Sequence, residues 1–190
     1  MKEVLLWSIR ALVTLDTKMK ILGIDPALRT TGFGIIQSQG QRLSYIASGT
    51  IETGSSQIPV PDRIATLYSG IREVVETYQP DLVSMEQVFL NVNPRSTLLL
   101  GQARGAAIAA LVATGIPLLE FSALEIKKSI VGTGRAKKEQ VQEMVRRLLS
   151  MKKITGTDAS DALAAAICAA HQHEMKSKLQ NLAQSAKIRR

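Results

Sequence analysis

Two short apolar runs, each ended by a carboxylate, constrain this chain more than any other feature. Ile21-Leu22-Gly23-Ile24 leads into Asp25, and Leu82-Val83-Ser84-Met85 leads into Glu86. Uninterrupted apolar runs this short read as strands covered on both faces. Such strands need helices above and below them, so the chain is read as α/β. A carboxylate at the end of a buried strand is costly without a partner, which makes Glu86 hard to explain by structure alone.

The rest of the chain supplies the other layers. Residues 31–37 are read as the hairpin partner of the first strand, across a turn at 26–30, and residues 42–52 as a third strand. The Gly-, Ser- and Pro-rich stretch 54–61 is a loop. Apolar residues at Ile64, Leu67, Ile71, Val74 and Val75 predict a helix, with Asp62 as its N-cap and Pro80 as its stop. A helix over 96–114 separates the strand at 82–86 from a strand at 117–121. Helices over 123–130, 137–150 and 158–173 follow. The order predicts a five-stranded mixed sheet with helices on both faces. Aromatic residues are only 4% of the chain, so Ile, Leu, Val and Ala must fill the core.

One domain over residues 19–173 accounts for these elements. Residues 1–18 are read as a leader outside the fold, because Met19 opens a second plausible start. Residues 174–190 are read as a basic flexible tail. No run approaches the roughly 20 apolar residues of a membrane span, so no membrane partner is expected. The single cysteine, Cys168, cannot form an internal disulfide, which fits a reducing cytoplasm.

Four acids stand out. Asp25 and Glu86 end strands that the topology makes neighbours. Asp158 and Asp161 open the last helix, spaced to share nearly one face. Separately, Asp158 and Asp161 could serve as an N-cap and a first-turn acid, and Asp25 before Pro26 could start a turn. Together they form a set that cannot stay ionised without a cation. Oxygen ligands suit a hard divalent ion, and Mg²⁺ is the usual one with phosphates. Two such ions about 4 Å apart can activate water and stabilise a departing oxygen in phosphodiester hydrolysis. No Cys/His pattern suggests zinc.

The formal net charge of +8 favours a polyanionic partner. The bases concentrate before the last helix. Lys127, Lys128, Arg135, Lys137, Lys138, Arg146, Arg147, Lys152 and Lys153 are opposed there only by Glu139 and Glu143.

The ordered motifs resemble those of the RuvC family of bacterial Holliday-junction resolvases. Gly23-Ile24-Asp25-Pro26 with Thr31-Gly32-Phe33-Gly34 resembles its opening signature. Glu86-Gln87-Val88-Phe89, Gly101-Gln102-Ala103-Arg104-Gly105 and Asp158-Ala159-Ser160-Asp161-Ala162-Leu163-Ala164 resemble the next three. The resemblance implies a ribonuclease H-like fold, a homodimer, Mg²⁺ (two per site, with Mn²⁺ as a substitute) and paired nicks in four-way DNA junctions during recombination and repair. It further implies work beside the RuvA-RuvB branch-migration complex. Asp25, Glu86, Asp158 and Asp161 match the metal-binding acids. Lys127 and Lys138 match bases near the scissile phosphate. Phe89 matches an aromatic residue that contacts unstacked bases. Lys128, Arg135, Lys137, Arg95 and Arg104 are read as further DNA contacts. One departure is Ala27, where the family usually has Gly. Were positive φ needed there, Ala would cost about 1 kcal/mol.

Three other readings compete. An actin-like ATPase or sugar kinase shares the fold but needs a second nucleotide-binding half. A ribosomal-RNA maturation nuclease shares the fold, but the segments at Glu86 and Gly101 favour the resolvase. A non-catalytic junction-binding protein has no need of all four acids.

Overall fold

The computed structural model describes residues 18–87, 93–153 and 156–188. Five strands form one sheet in the order β3-β2-β1-β4-β5. β1 (Met19–Asp25), β2 (Thr30–Gln39) and β3 (Arg42–Glu52) make an antiparallel meander. β4 (Leu82–Gln87) runs parallel to β1, and β5 (Leu118–Ser122) runs parallel to β4. Helices α1 (Val60–Tyr78) and α2 (Pro94–Val112) cover one face. Helices α3 (Ala123–Val131), α4 (Lys138–Leu148) and α5 (Thr157–Ile188) cover the other.

The two-residue period of β1 explains its continuous apolar sequence. Ile21 packs into the α3–α5 core, while Leu22 and Ile24 pack into the α1–α2 core, and all three are fully buried. On the α5 side the sheet is paved with glycine. A Cβ on Gly23 would sit 1.8 Å from the carbonyl oxygen of Ala162, and one on Gly32 would sit 2.1 Å from that of Asp158. Gly34, paired with Gly23 across the hairpin, lies under Leu163. Backbone therefore meets backbone where α5 crosses β1 and β2. Its small residues, among them Ala162, Ala165, Ala166 and Ala169, are buried there. The Ser84 hydroxyl of β4 donates to the Ala165 carbonyl at 2.8 Å, pinning the helix in register.

Several boundaries differ from the sequence reading. Asp62 is not an N-cap: α1 begins at Val60, with Pro59 in the cap position and no side-chain cap. Pro61 is tolerated in that first turn because its missing N–H has no helical acceptor to lose. α2 starts before Ser96, because the Asn93 side chain accepts from the N–H groups of Arg95 and Ser96 at 3.0 and 3.3 Å. α5 does not end at His173, and the segment read as a tail is helical to Ile188. Good helix formers fill it, and Lys178 pairs with Glu174 one turn before it at 2.7 Å. The proposed leader over residues 1–18 lies, apart from Lys18, outside the described residues, and β1 begins at Met19.

On the opposite face, Arg63 of α1 is buried. Its Nε donates to Thr53 Oγ1 at 3.1 Å and its Nη2 to the Leu28 carbonyl at 3.2 Å. Thr53 closes the same loop, its N–H donating to the Arg29 carbonyl at 3.1 Å.

Replacing Gly23 by Ala should break the α5 contact, since the clash is with backbone on both sides. The expected loss is about 3 kcal/mol or more, toward the upper end of overpacking costs. Urea denaturation checks it; a stability within about 0.5 kcal/mol of the parent would show that α5 does not sit on the sheet this closely.

Candidate active site

The glycine seat that brings α5 down also assembles the acids. Asp25 is paired with Gly32 across the β1–β2 hairpin, and Gly32 lies under the Asp158 backbone. The β1–β4 register ends at the Ile24–Met85 pair, and Asp25 and Glu86 are the next residues of these neighbouring parallel strands. Neighbouring strands lie about 4.8 Å apart. Two residues earlier, Gly23 and Ser84 both contact α5, so alternation puts Asp25 and Glu86 on that face too. Asp161, three residues beyond Asp158 on α5, shares a cleft of about 220 Å³ with Glu86, Lys127 and Lys138. The Lys138 Nζ lies 2.6 Å from Asp161 Oδ2.

The electrostatics agree with this convergence. Burial first, then the charges of Asp161, Glu86 and Asp158, push the Asp25 carboxyl from 3.8 up to about 7, against the pull of Lys138. Glu86 is raised by burial and by Asp161, with Lys127 and Lys138 opposing. For Lys138, burial works against the ammonium, but the hydrogen bond and charge of Asp161, with Asp25 and Asp158 behind it, leave its pKa raised. Among the described residues no three acidic, His or Cys side chains are drawn close enough to cage an ion as they stand. Asp161 is instead engaged by an ammonium. The donor set is nonetheless all oxygen, mutually repelling and short of positive charge, which fits a hard divalent cation.

The basic residues divide into groups. Lys127 and Lys138 line the acid cleft. Lys128, Arg135 and Lys137 are exposed around the α3–α4 connection beside it. Arg95 is exposed in the first turn of α2, the helix that follows the Glu86 strand. Arg104 lies apart from these groups. Its guanidinium is paired with Glu120 of β5. Glu120 stands opposite Met85, which packs on the α1–α2 side, so this ion pair is across the sheet from the acids. The pair braces α2 against β5. Phe89 lies outside the described residues.

Ala27 is also resolved. It is not among the described residues with positive φ, so no glycine is needed at that position. The turn is closed instead by Thr31: Ala27 N–H donates to Thr31 Oγ1 at 3.1 Å, and that hydroxyl donates to the Ala27 carbonyl at 2.7 Å. The larger groove between α1 and strands β2 and β3, about 790 Å³, has Glu73 as its one carboxylate and gathers no comparable chemistry.

Sequence reasoning missed the seat glycines as a group, the Ser84 tie and the Arg63 clamp. Gly32 and Gly34 stand two apart in one strand, and that spacing was the available signal that one face had to admit another backbone closely.

A family model described as crossover junction endodeoxyribonuclease RuvC matches residues 21–169. A curated relative of that name from Polynucleobacter asymbioticus is 60% identical over 157 residues, 83% of this chain and 91% of its own length. One from Herminiimonas arsenicoxydans is 57% identical over 165 residues, 87% of this chain and 91% of its own. Among solved structures, Thermus thermophilus RuvC in complex with Holliday junction substrate matches with a TM-score of 0.78 at 27% identity, covering 84% of this chain and 97% of that one. The yeast mitochondrial Holliday junction resolvase Ydc2 shares the fold, with a TM-score of 0.61, 12% identity and 90% of each chain covered. The architecture is the ribonuclease H-like one expected from the sequence.

The acid cluster predicts a pH signature in metal-free protein. Asp25 titrates near 7 when folded, against 3.8 for an ordinary aspartate, so the folded state holds the extra proton between these limits. The stability from that proton is complete below about pH 4 and is lost as pH rises through about 7. With chelator present, the thermal midpoint should fall across that window. Asp25→Asn should flatten the fall and be the more stable protein near pH 8. Equal slopes in the two proteins would mean Asp25 does not sit among repelling charges.

Proposed function

Because the chain belongs to the RuvC family of crossover junction endodeoxyribonucleases, we propose that it resolves four-way DNA junctions in recombination and repair by paired symmetric nicks. The reaction is phosphodiester hydrolysis. The observation that carries this reading is the gathering of Asp25, Glu86, Asp158 and Asp161 at one end of the sheet, beside two lysines.

The four carboxylates hold Mg²⁺, two ions per site, with Mn²⁺ as a substitute. Bound there, the metal supplies a more acidic water and neutralises charge on the phosphoryl oxygens. Asp25 and Glu86, rising from the sheet, form the rigid half of the ligand set; Asp158 and Asp161 supply the other half from the first two turns of α5. Lys127 and Lys138 meet the scissile phosphate and offset the charge that builds there. Lys128, Arg135, Lys137 and Arg95 hold the flanking backbone, which gives affinity and makes it salt-sensitive. Phe89 stacks on a base splayed at the crossover. Selectivity for a junction comes from its shape and from such unstacked bases.

Paired nicks call for two sites related by two-fold symmetry, hence a homodimer. The outer face of α2 suits the contact. Leu98 and Val112 are 69% and 63% exposed there. Gly101 and Gly105 between them are exposed, with nothing within 4 Å of the Cβ position. The working partners are four-way junction DNA and the RuvA-RuvB branch-migration complex, in the cytoplasm. No helix among the described residues is long and apolar enough to cross a membrane.

A nicking assay on a mobile four-way junction, with and without Mg²⁺, tests the reading. The parent protein should cut only with metal. Asp25→Asn should bind the junction as well and cut at least about a thousandfold more slowly, since the group acts chiefly in the transition state. Undiminished cutting by that variant would remove Asp25 from the site. Leu98→Glu should convert a dimer to a monomer in sedimentation; an unchanged dimer would place the interface elsewhere.

A further inference from the structure

Lys138 occupies a position that local physics disfavours. It is the first residue of α4, where the helix dipole repels a cation. Asp161 compensates, with its Oδ2 2.6 Å from the ammonium. The same ammonium also acts on Asp25 and Asp158, and on Glu86. One side chain is thus a counterion shared by all four acids. Lys127 differs: it lines the same cleft and acts on Glu86, but no ion pair of its own is found among the described residues.

A divalent cation and an ammonium cannot both be held closely by one carboxylate without strong mutual repulsion. The Lys138 side chain is about half exposed, at 49%, on a flexible four-carbon stem. A DNA phosphate arriving at the cleft offers it another anion. From this arrangement we infer that Lys138 is a latch on Asp161, closed in the free protein and opened by the scissile phosphate, which releases that carboxylate to metal. Metal and junction then bind with positive coupling, each favouring the other. The inference rests on the metal-holding role proposed above for the four acids.

Calorimetric titration of Mg²⁺ into the DNA-free protein tests the latch without relying on activity. Lys138→Gln should bind Mg²⁺ about two- to fivefold more tightly than the parent, the scale of losing a partly exposed ion pair. Lys138→Arg, which keeps the charge and can keep the pair, should retain the parent affinity. Lys127→Gln removes a charge from the same cleft but no ion pair, and should gain less than about twofold. An uncleavable four-way junction should tighten Mg²⁺ binding by the parent more than by Lys138→Gln. A Lys138→Gln affinity equal to or weaker than the parent's would overturn the latch, as would an equal gain from Lys127→Gln. Absence of Mg²⁺ binding in every protein would overturn the metal-site reading itself, and the latch with it.

Discussion

The contact of α5 with the backbone of β1 and β2 is the constraint on which this molecule turns. Gly23 and Gly32 leave no side chain between helix and sheet at their crossings, and Gly34 makes room for Leu163. The helix answers with alanine, so the layers approach more closely than larger residues would permit. That approach sets the height of α5 above the sheet. Ser84, donating into the third turn of the helix, sets its position along it. The first turn of α5 is thereby fixed over the ends of β1 and β4. A helix standing one side chain higher would leave its aspartates out of reach of Asp25 and Glu86.

What that precision assembles is electrostatically unfavourable. Burial and three like charges weigh on Asp25, and the surrounding core must outweigh them. The two hydrophobic cores, one on each face of the sheet, hold the strands in place. The site is thus a locally strained arrangement on a globally satisfied scaffold, the usual relation between function and stability. Its counter-charge comes from α4 through Lys138 and from α3 through Lys127. The acids come from sheet and central helix, the bases from the outer helices, and the cleft lies between the two sets.

Much of this could be read from residues alone, and what could not has physical causes. Asp25 and Glu86 declared themselves because a buried strand should not end in an acid. The pairing of Asp158 with Asp161 followed from helical spacing. Helix starts were misplaced where capping competed: Asn93 outcompetes Ser96 because it has two N–H groups within reach, and Asp62 lies inside a helix that opens without a side-chain cap. The Arg104 ion pair was not legible, because charge is visible in a sequence while its partner is not. Glu120 is sixteen residues away and meets it only through the β4–α2–β5 crossover. The long run of α5 was hidden by composition, since Lys, Gln and Ala serve a solvated helix as readily as a tail. Ala27 showed the reverse error, a glycine rule applied where the backbone never enters the left-handed region.

The burial of Arg63 bears directly on the loop that follows Asp25. Among the described residues it has no carboxylate partner, and its hydrogen bonds go to a hydroxyl and a carbonyl. A guanidinium held only by neutral acceptors is expensive to bury, and the structure tolerates it at the point where β1 turns back into β2. The peptide leaving β1 is therefore fastened from behind by α1 while α5 presses on it from the front. Rigidity at that acid is a property of the whole three-layer stack. Natural variation in α1 should be filtered by how well it keeps that loop still, even though none of its residues reaches the cleft.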